Sequence, residues 1–77
     1  MNKIRRKALS NLVDDLNAIK DALEELQAEE EEYRDNIPEN LQGSDRYFTA
    51  DECCVNMEEA ASHLDDAIAL IETVIEA

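Results

Sequence analysis

The chain has little of what proteins use for chemistry or for elaborate topology. Its 77 residues include one glycine, one proline, one histidine and no tryptophan. One glycine and one proline cannot supply the many tight turns of a sheet protein. No glycine-rich phosphate loop or nucleophile elbow occurs. The lone histidine, His63, has Glu59 and Asp66 nearby in sequence and reads as a solvated side chain rather than a general base. Glu59 and His63 stand one turn apart, but a di-iron bundle needs Glu-x-x-His and facing glutamates, and that spacing is absent. No loop has the ligand spacing of an EF-hand. Catalytic residues, metal and cofactor are therefore all expected to be absent.

The two cysteines are neighbours, Cys53 and Cys54. Adjacent cysteines do not staple a fold. A helix start can favour thiolates, but with no second histidine or resolving pattern these two read as small core hydrophobes. "MNKIRRKALSNLV" has a positive start but no apolar run after it, so no signal peptide is expected. No stretch approaches the roughly 20 apolar residues of a membrane span. Free thiols then point to a reducing setting, the cytoplasm of a host cell.

Charge of one sign is also scarce. Twenty acids face seven bases, a net charge of −13. Four of the seven bases are Lys3, Arg5, Arg6 and Lys7, so the remainder is almost purely acidic. Such a chain repels nucleic acid and anionic membranes and suits basic protein surfaces.

What is abundant is helical periodicity. Leu9, Leu12, Leu16, Ile19, Leu23, Leu26, Glu30 and Tyr33 alternate spacings of three and four. They form a heptad seam broken at Glu30. Ile4, Ala8, Val13 and Ala22 widen it. The second half repeats the pattern in Cys54, Met57, Ala61, Leu64, Ile68, Ile71 and Ile75. A flanking stripe of small residues, Cys53, Ala60, Ala67 and Val74, recurs every seven. The pattern predicts an all-α antiparallel two-helix hairpin over residues 1–77, with helices near 3–34 and 49–76. One partner helix cannot cover both stripes of the second helix. Self-association is expected, most simply a homodimer forming a four-helix bundle. The pairing sets Arg5, Arg6 and Lys7 beside Glu72 and Glu76 as an intramolecular clasp.

The connection, 35–48, is predicted to be structured. Thr49 with Glu52 has capping-box spacing, and Ser44 is a second candidate cap. Asn36 with Glu39 has the same spacing and Pro38 follows, so "NIPENLQG" reads as one helical turn, ended by Gly43 in a left-handed conformation. Ile37, Leu41, Tyr47 and Phe48 are too apolar for a free linker. Some of them are expected to cover the hairpin's end with Tyr33, or to serve as a recognition tip.

"RRKAL", "EEEEYRDNIPENLQGSDRY" and "NMEEAASHLDDAIALIE" together resemble small acidic helical proteins of phages and prophages of Firmicutes. The "NIPENLQGSDR" turn is the most specific part; "YFTADECCV" after it departs from the family pattern. The resemblance implies an accessory protein in a phage context and carries no assigned activity.

From Asp14 to Glu32 there are nine acids and one base over 19 residues. At ~1.5 Å rise per residue this is one net charge per ~3.5 Å, close to the ~3.4 Å of a DNA strand. The expected function is non-enzymatic protein–protein interaction. The chain would act as an acidic inhibitor or nucleic-acid mimic on a basic host or phage protein, such as a defence or nucleic-acid-handling enzyme. The alternative is a structural or regulatory homodimeric bundle using an apolar tip. The candidate partner-binding residues are Glu24, Glu25, Glu29, Glu31, Glu32, Asp35, Glu39, Asp45, Tyr47 and Phe48.

Overall fold

A computed structural model describes residues 1–77. Helix α1 runs Lys3–Asp35, a 3-10 turn covers Glu39–Leu41, and helix α2 runs Asp45–Glu76. There are no strands, and the two helices pack on one another. The result is a rod of 59 × 15 × 12 Å.

Local chemistry sets each boundary. Asn2 caps α1, its side chain accepting from the Arg5 amide at 2.7 Å. The first turn of α1 is basic, which opposes the helix dipole. Arg6 offsets this by donating to the Ala77 carbonyl at the end of α2. That contact replaces the expected clasp: neither Glu72 nor Glu76 pairs with Arg5, Arg6 or Lys7, and the terminal carbonyl is the acceptor instead. At its other end α1 stops at Asn36, since Pro38 disfavours helical backbone in the residue before it.

Helix α2 begins at Asp45, four residues before Thr49. Ser44 is the cap. Its hydroxyl accepts from the Tyr47 amide and donates to the Leu41 carbonyl at 2.6 Å. The 3-10 turn starts after Pro38, with no side-chain cap, so Asn36 does not serve that role. Gly43 does not adopt a positive φ, contrary to the expected left-handed stop. Ser44 ends the loop, so the left-handed termination is not needed.

The seam of α2 is the one its heptads predict. Cys54, Ala61 and Ile68 are buried, and Met57, Leu64, Ile71 and Ile75 are half-buried. Ala50 and Tyr47 extend the same seam backward. The seam of α1 differs. Leu9, Leu16, Leu23 and Glu30 face α2 as expected, but their companions are Val13, Lys20, Gln27 and Arg34. Leu12, Ile19 and Leu26 are instead 50%, 55% and 57% exposed. The helix is thus rotated by one heptad stripe, roughly 50° about its axis. Partners for the polar stripe come from α2: Lys20 pairs with Asp65 and Arg34 with Asp51.

Six of the 77 residues are buried, and no large side chain is fully enclosed. Two helices alone leave one flank of each seam open.

Candidate functional site

The rotation of α1 divides the rod into two unlike faces. Residues seven apart share a face, so Leu12, Ile19, Leu26 and Tyr33 form one stripe along α1. On α2 the stripe Cys53, Ala60, Ala67 and Val74 runs beside it. Near the connection, Leu26, Tyr33, Cys53 and Met57 line one groove of about 790 Å³. The seam residues between the stripes, Leu9, Leu16, Leu23, Leu64 and Ile71, are only half-buried. This face is apolar along most of its length.

Its groove carries a charged rim. Glu29, Glu30, Asp45 and Arg46 line it with the apolar residues. Arg46 donates its Nε–H to the Tyr33 hydroxyl at 2.7 Å, with its guanidinium 5.2 Å from the ring centre. Arg46 is therefore held to the groove wall and leaves the acids of the rim without a partner.

The opposite face is polar. Glu24, Gln27, Glu31, Glu58, Ser62 and Asp65 line its shallow groove with two alanines. Lys20 bridges Asp65 and Glu24 across it. The Asp65 hydrogen bond, helped by Glu24, raises the Lys20 ammonium above its ordinary value. Arg34 bonds Asp35 at 3.1 Å and Asp51 at 2.8 Å, and those two carboxylates hold its guanidinium above its ordinary value.

The candidate residues separate accordingly. Glu29 and Asp45 stand on the rim of the apolar groove. Glu24 and Glu31 are on the polar face, where Glu31 accepts from Gln27 at 3.1 Å. Glu25 and Glu32 are exposed on the outside of α1, and Glu39 is exposed in the 3-10 turn. Asp35 is bound to Arg34. The acids therefore do not converge on one patch.

Some of the connection's apolar residues are covered, as expected, and others are left exposed. Ile37 is buried and Tyr47 half-buried, but Leu41 and Tyr33 are exposed. Phe48, 58% exposed, stands edge-on to Tyr47 with 6.1 Å between ring centres. One α-helical turn cannot place both neighbours of a Tyr-Phe pair on the inner side, and the seam takes Tyr47.

No three His, Cys, Asp or Glu side chains converge to hold a metal ion. Cys54 is buried and Cys53 exposed. Burial pushes the Cys54 thiol up, against the pull of nearby Arg34. No helix is long and apolar enough to cross a membrane. The residues missed by sequence reasoning are Lys20, Gln27 and Arg34 in the seam; their heptad spacing to Val13 was the available signal. No protein-family model, curated protein or solved structure matches this chain.

Proposed function

We propose that this chain is a non-enzymatic accessory protein that works by helix-to-helix association, with two copies closing their apolar faces into a four-helix bundle. The phage setting implied by the resemblance suits such a small assembly unit. The carrying observation is the unpartnered apolar face. A chain of 8.7 kDa exposes 5659 Å². A compact monomer of this mass exposes about 4,700 Å², so the excess is about 900 Å². A standard interface buries about 800 Å² per partner. The rod shape exposes this excess, and whatever part of it is apolar would stabilise an association at ~25 cal/mol per Å² covered.

Sedimentation equilibrium tests this. The expected result is a dimer at micromolar concentration, and a melting temperature that rises with concentration. Replacing Ile19 with Asp should give a monomer. A wild-type monomer at several hundred micromolar would overturn the proposal.

The second reading keeps the acidic surface as the contact for a basic host or phage protein. One observation favours it. Each base beyond the N-terminal cluster is already engaged: Lys20 and Arg34 by carboxylates and Arg46 by Tyr33. The acids on the outside of α1, Glu25 and Glu32, meet no competing cation. They also lie away from the apolar face, so the dimer would present them outward. Competition with duplex DNA for a basic host nucleic-acid-handling enzyme tests it. Inhibition should disappear when Glu24, Glu25, Glu31 and Glu32 become glutamine, and fall steeply with salt. Inhibition that survives both would exclude mimicry.

A further inference from the structure

The rod is polarised along its length as well as across it. Lys3, Arg5, Arg6 and Lys7 stand at the open end with Glu72 and Glu76, four bases against two acids and a net excess of two positive charges. The connection end holds the Glu29–Glu32 run, Asp35, Asp45 and Asp51, moderated only by Arg34 and Arg46. Two hairpins can close face to face in two ways. With both connections at the same end, the acidic ends of two chains lie side by side. With the connections at opposite ends, each basic end lies on the partner's acidic end. Both use the same face of each chain; charge separates them.

The α1 stripe adds a second, independent observation. Read along the helix it runs Arg5, Leu12, Ile19, Leu26, Tyr33. Its large apolar residues are symmetric about Ile19. A two-fold axis through Ile19 sets Leu12 of one chain on Leu26 of the other and Ile19 on Ile19. The same axis brings Arg5 to Tyr33 and the acidic rim of the groove formed by Glu29 and Glu30. The groove has an apolar floor and a rim of three acids, Glu29, Glu30 and Asp45, against one base, Arg46, which is held on the Tyr33 ring. The rim is net acidic, so it suits an apolar helical face with a cation directed at Glu29 and Glu30 rather than at the ring. The start of α1, with Arg5, Ala8 and Leu12, has that chemistry.

We infer that the apolar groove at the connection receives the first turns of α1 from a second copy, giving a head-to-tail dimer with its two-fold axis at Ile19. This rests on the dimer reading of the preceding section and fixes the arrangement of its subunits.

The test is cross-linking in a chain whose native cysteines are replaced, Cys53→Ala and Cys54→Ala. Adding Ile19→Cys should give a covalent dimer on mild oxidation, because a residue on the axis meets its own copy within disulfide reach. Leu12→Cys alone and Leu26→Cys alone should not link to themselves, but a mixture of the two should. If the connections share one end, α1 of one chain faces α2 of the other and Ile19→Cys stays reduced. A charge swap gives a second readout that needs no disulfide. Arg5→Glu and Glu29→Lys should each weaken the dimer about tenfold, and the double variant should regain most of the loss. Arg5 and Glu29 lie about 36 Å apart along one helix, far beyond the ~8 Å screening length, so recovery can only cross between chains. A dimer with neither Ile19 cross-linking nor recovery overturns the head-to-tail arrangement and leaves the dimer intact. A wild-type monomer at several hundred micromolar removes both.

Discussion

The two long faces of the hairpin are built from the same two helices and could hardly differ more. One carries Leu12, Ile19, Leu26 and Tyr33 beside Cys53, Ala60, Ala67 and Val74. The other carries Lys20, Gln27 and Arg34 beneath Asp51, Glu58 and Asp65. On the polar face α1 and α2 satisfy one another: Lys20 reaches Asp65 and Arg34 reaches Asp51. On the apolar face they leave surface uncovered. Exposed ion pairs contribute little to stability, so the polar face is complete without being a source of strength. The apolar face leaves Leu12, Ile19 and Leu26 half or more exposed. α1 gives the hairpin Leu9, Val13, Leu16 and Leu23 together with its polar stripe, and leaves Leu12, Ile19, Leu26 and Tyr33 exposed.

The largest effect comes from breaking the helices on which both faces depend. Asp21→Pro, in the middle of α1, should cost about 3 kcal/mol or more and abolish most helical circular dichroism. Asp45→Pro should be mild. Asp45 is the first residue of α2, where proline is well tolerated, and Ser44 before it is already extended. Equal loss at both positions would contradict the helix boundaries.

The direct comparison of faces comes next. If two copies associate as proposed, Leu26→Asp should weaken that association about 100-fold, roughly 2.7 kcal/mol. Glu58→Gln, on the polar face, should change it less than about twofold. Sedimentation of both variants reads the difference. If Glu58→Gln weakens the dimer as much as Leu26→Asp, the assignment of the faces is wrong.

A smaller contrast separates two neighbouring rings. Tyr47 is half-buried in the seam and Phe48 is exposed. Tyr47→Ala should lower stability by about 1–2 kcal/mol and Phe48→Ala by less than about 0.5 kcal/mol in chemical denaturation. A Phe48 cost equal to that of Tyr47 would place Phe48 in a packed interface instead.

The smallest effects concern the thiols. Cys53 should alkylate faster than Cys54 under dilute conditions, since Cys54 is buried and its thiol is held above the ordinary value of 9.0. A raised value in the fold means that the unfolded chain loses this proton first. The stabilisation is therefore present below about pH 9 and lost as pH rises through the higher folded value. The melting temperature should fall above pH 9, less so in Cys54→Ala. A melt in Cys54→Ala with the same alkaline slope would assign the loss to other groups, Lys20 being the first candidate.

The sequence by itself determined the two helices, the hairpin and the seam of α2. Period-seven apolar spacing there has one dominant solution, Cys54 through Ile75, and the structure uses it. Ser44 and Thr49 were both legible as caps; only the fold chose Ser44, because its hydroxyl is placed to bond Leu41 and Tyr47 together. Gly43 differs from its expected left-handed conformation, and the choice of cap or tip for Phe48 stayed open in the sequence, for a similar reason. A loop residue's conformation and exposure depend on how the turn closes, and sequence patterns describe only which residues could serve. The rotation of α1 was the main decision left to tertiary structure. Its heptads offer three adjacent usable stripes, two of them beginning with Leu9 and Leu12 and a third running Val13, Lys20, Gln27, Arg34. Periodicity fixes the spacing of a stripe but not which neighbouring pair faces the partner. In the structure the pair that faces α2 includes the stripe whose Lys20 and Arg34 meet Asp65 and Asp51 across the seam, contacts between residues 45 and 17 positions apart that no local spacing encodes. In that orientation Leu12, Ile19, Leu26 and Tyr33 lie exposed on one face while Glu25 and Glu32 stay exposed on the outside of α1, because which stripe is covered depends on how both helices pack and not on the spacing within one.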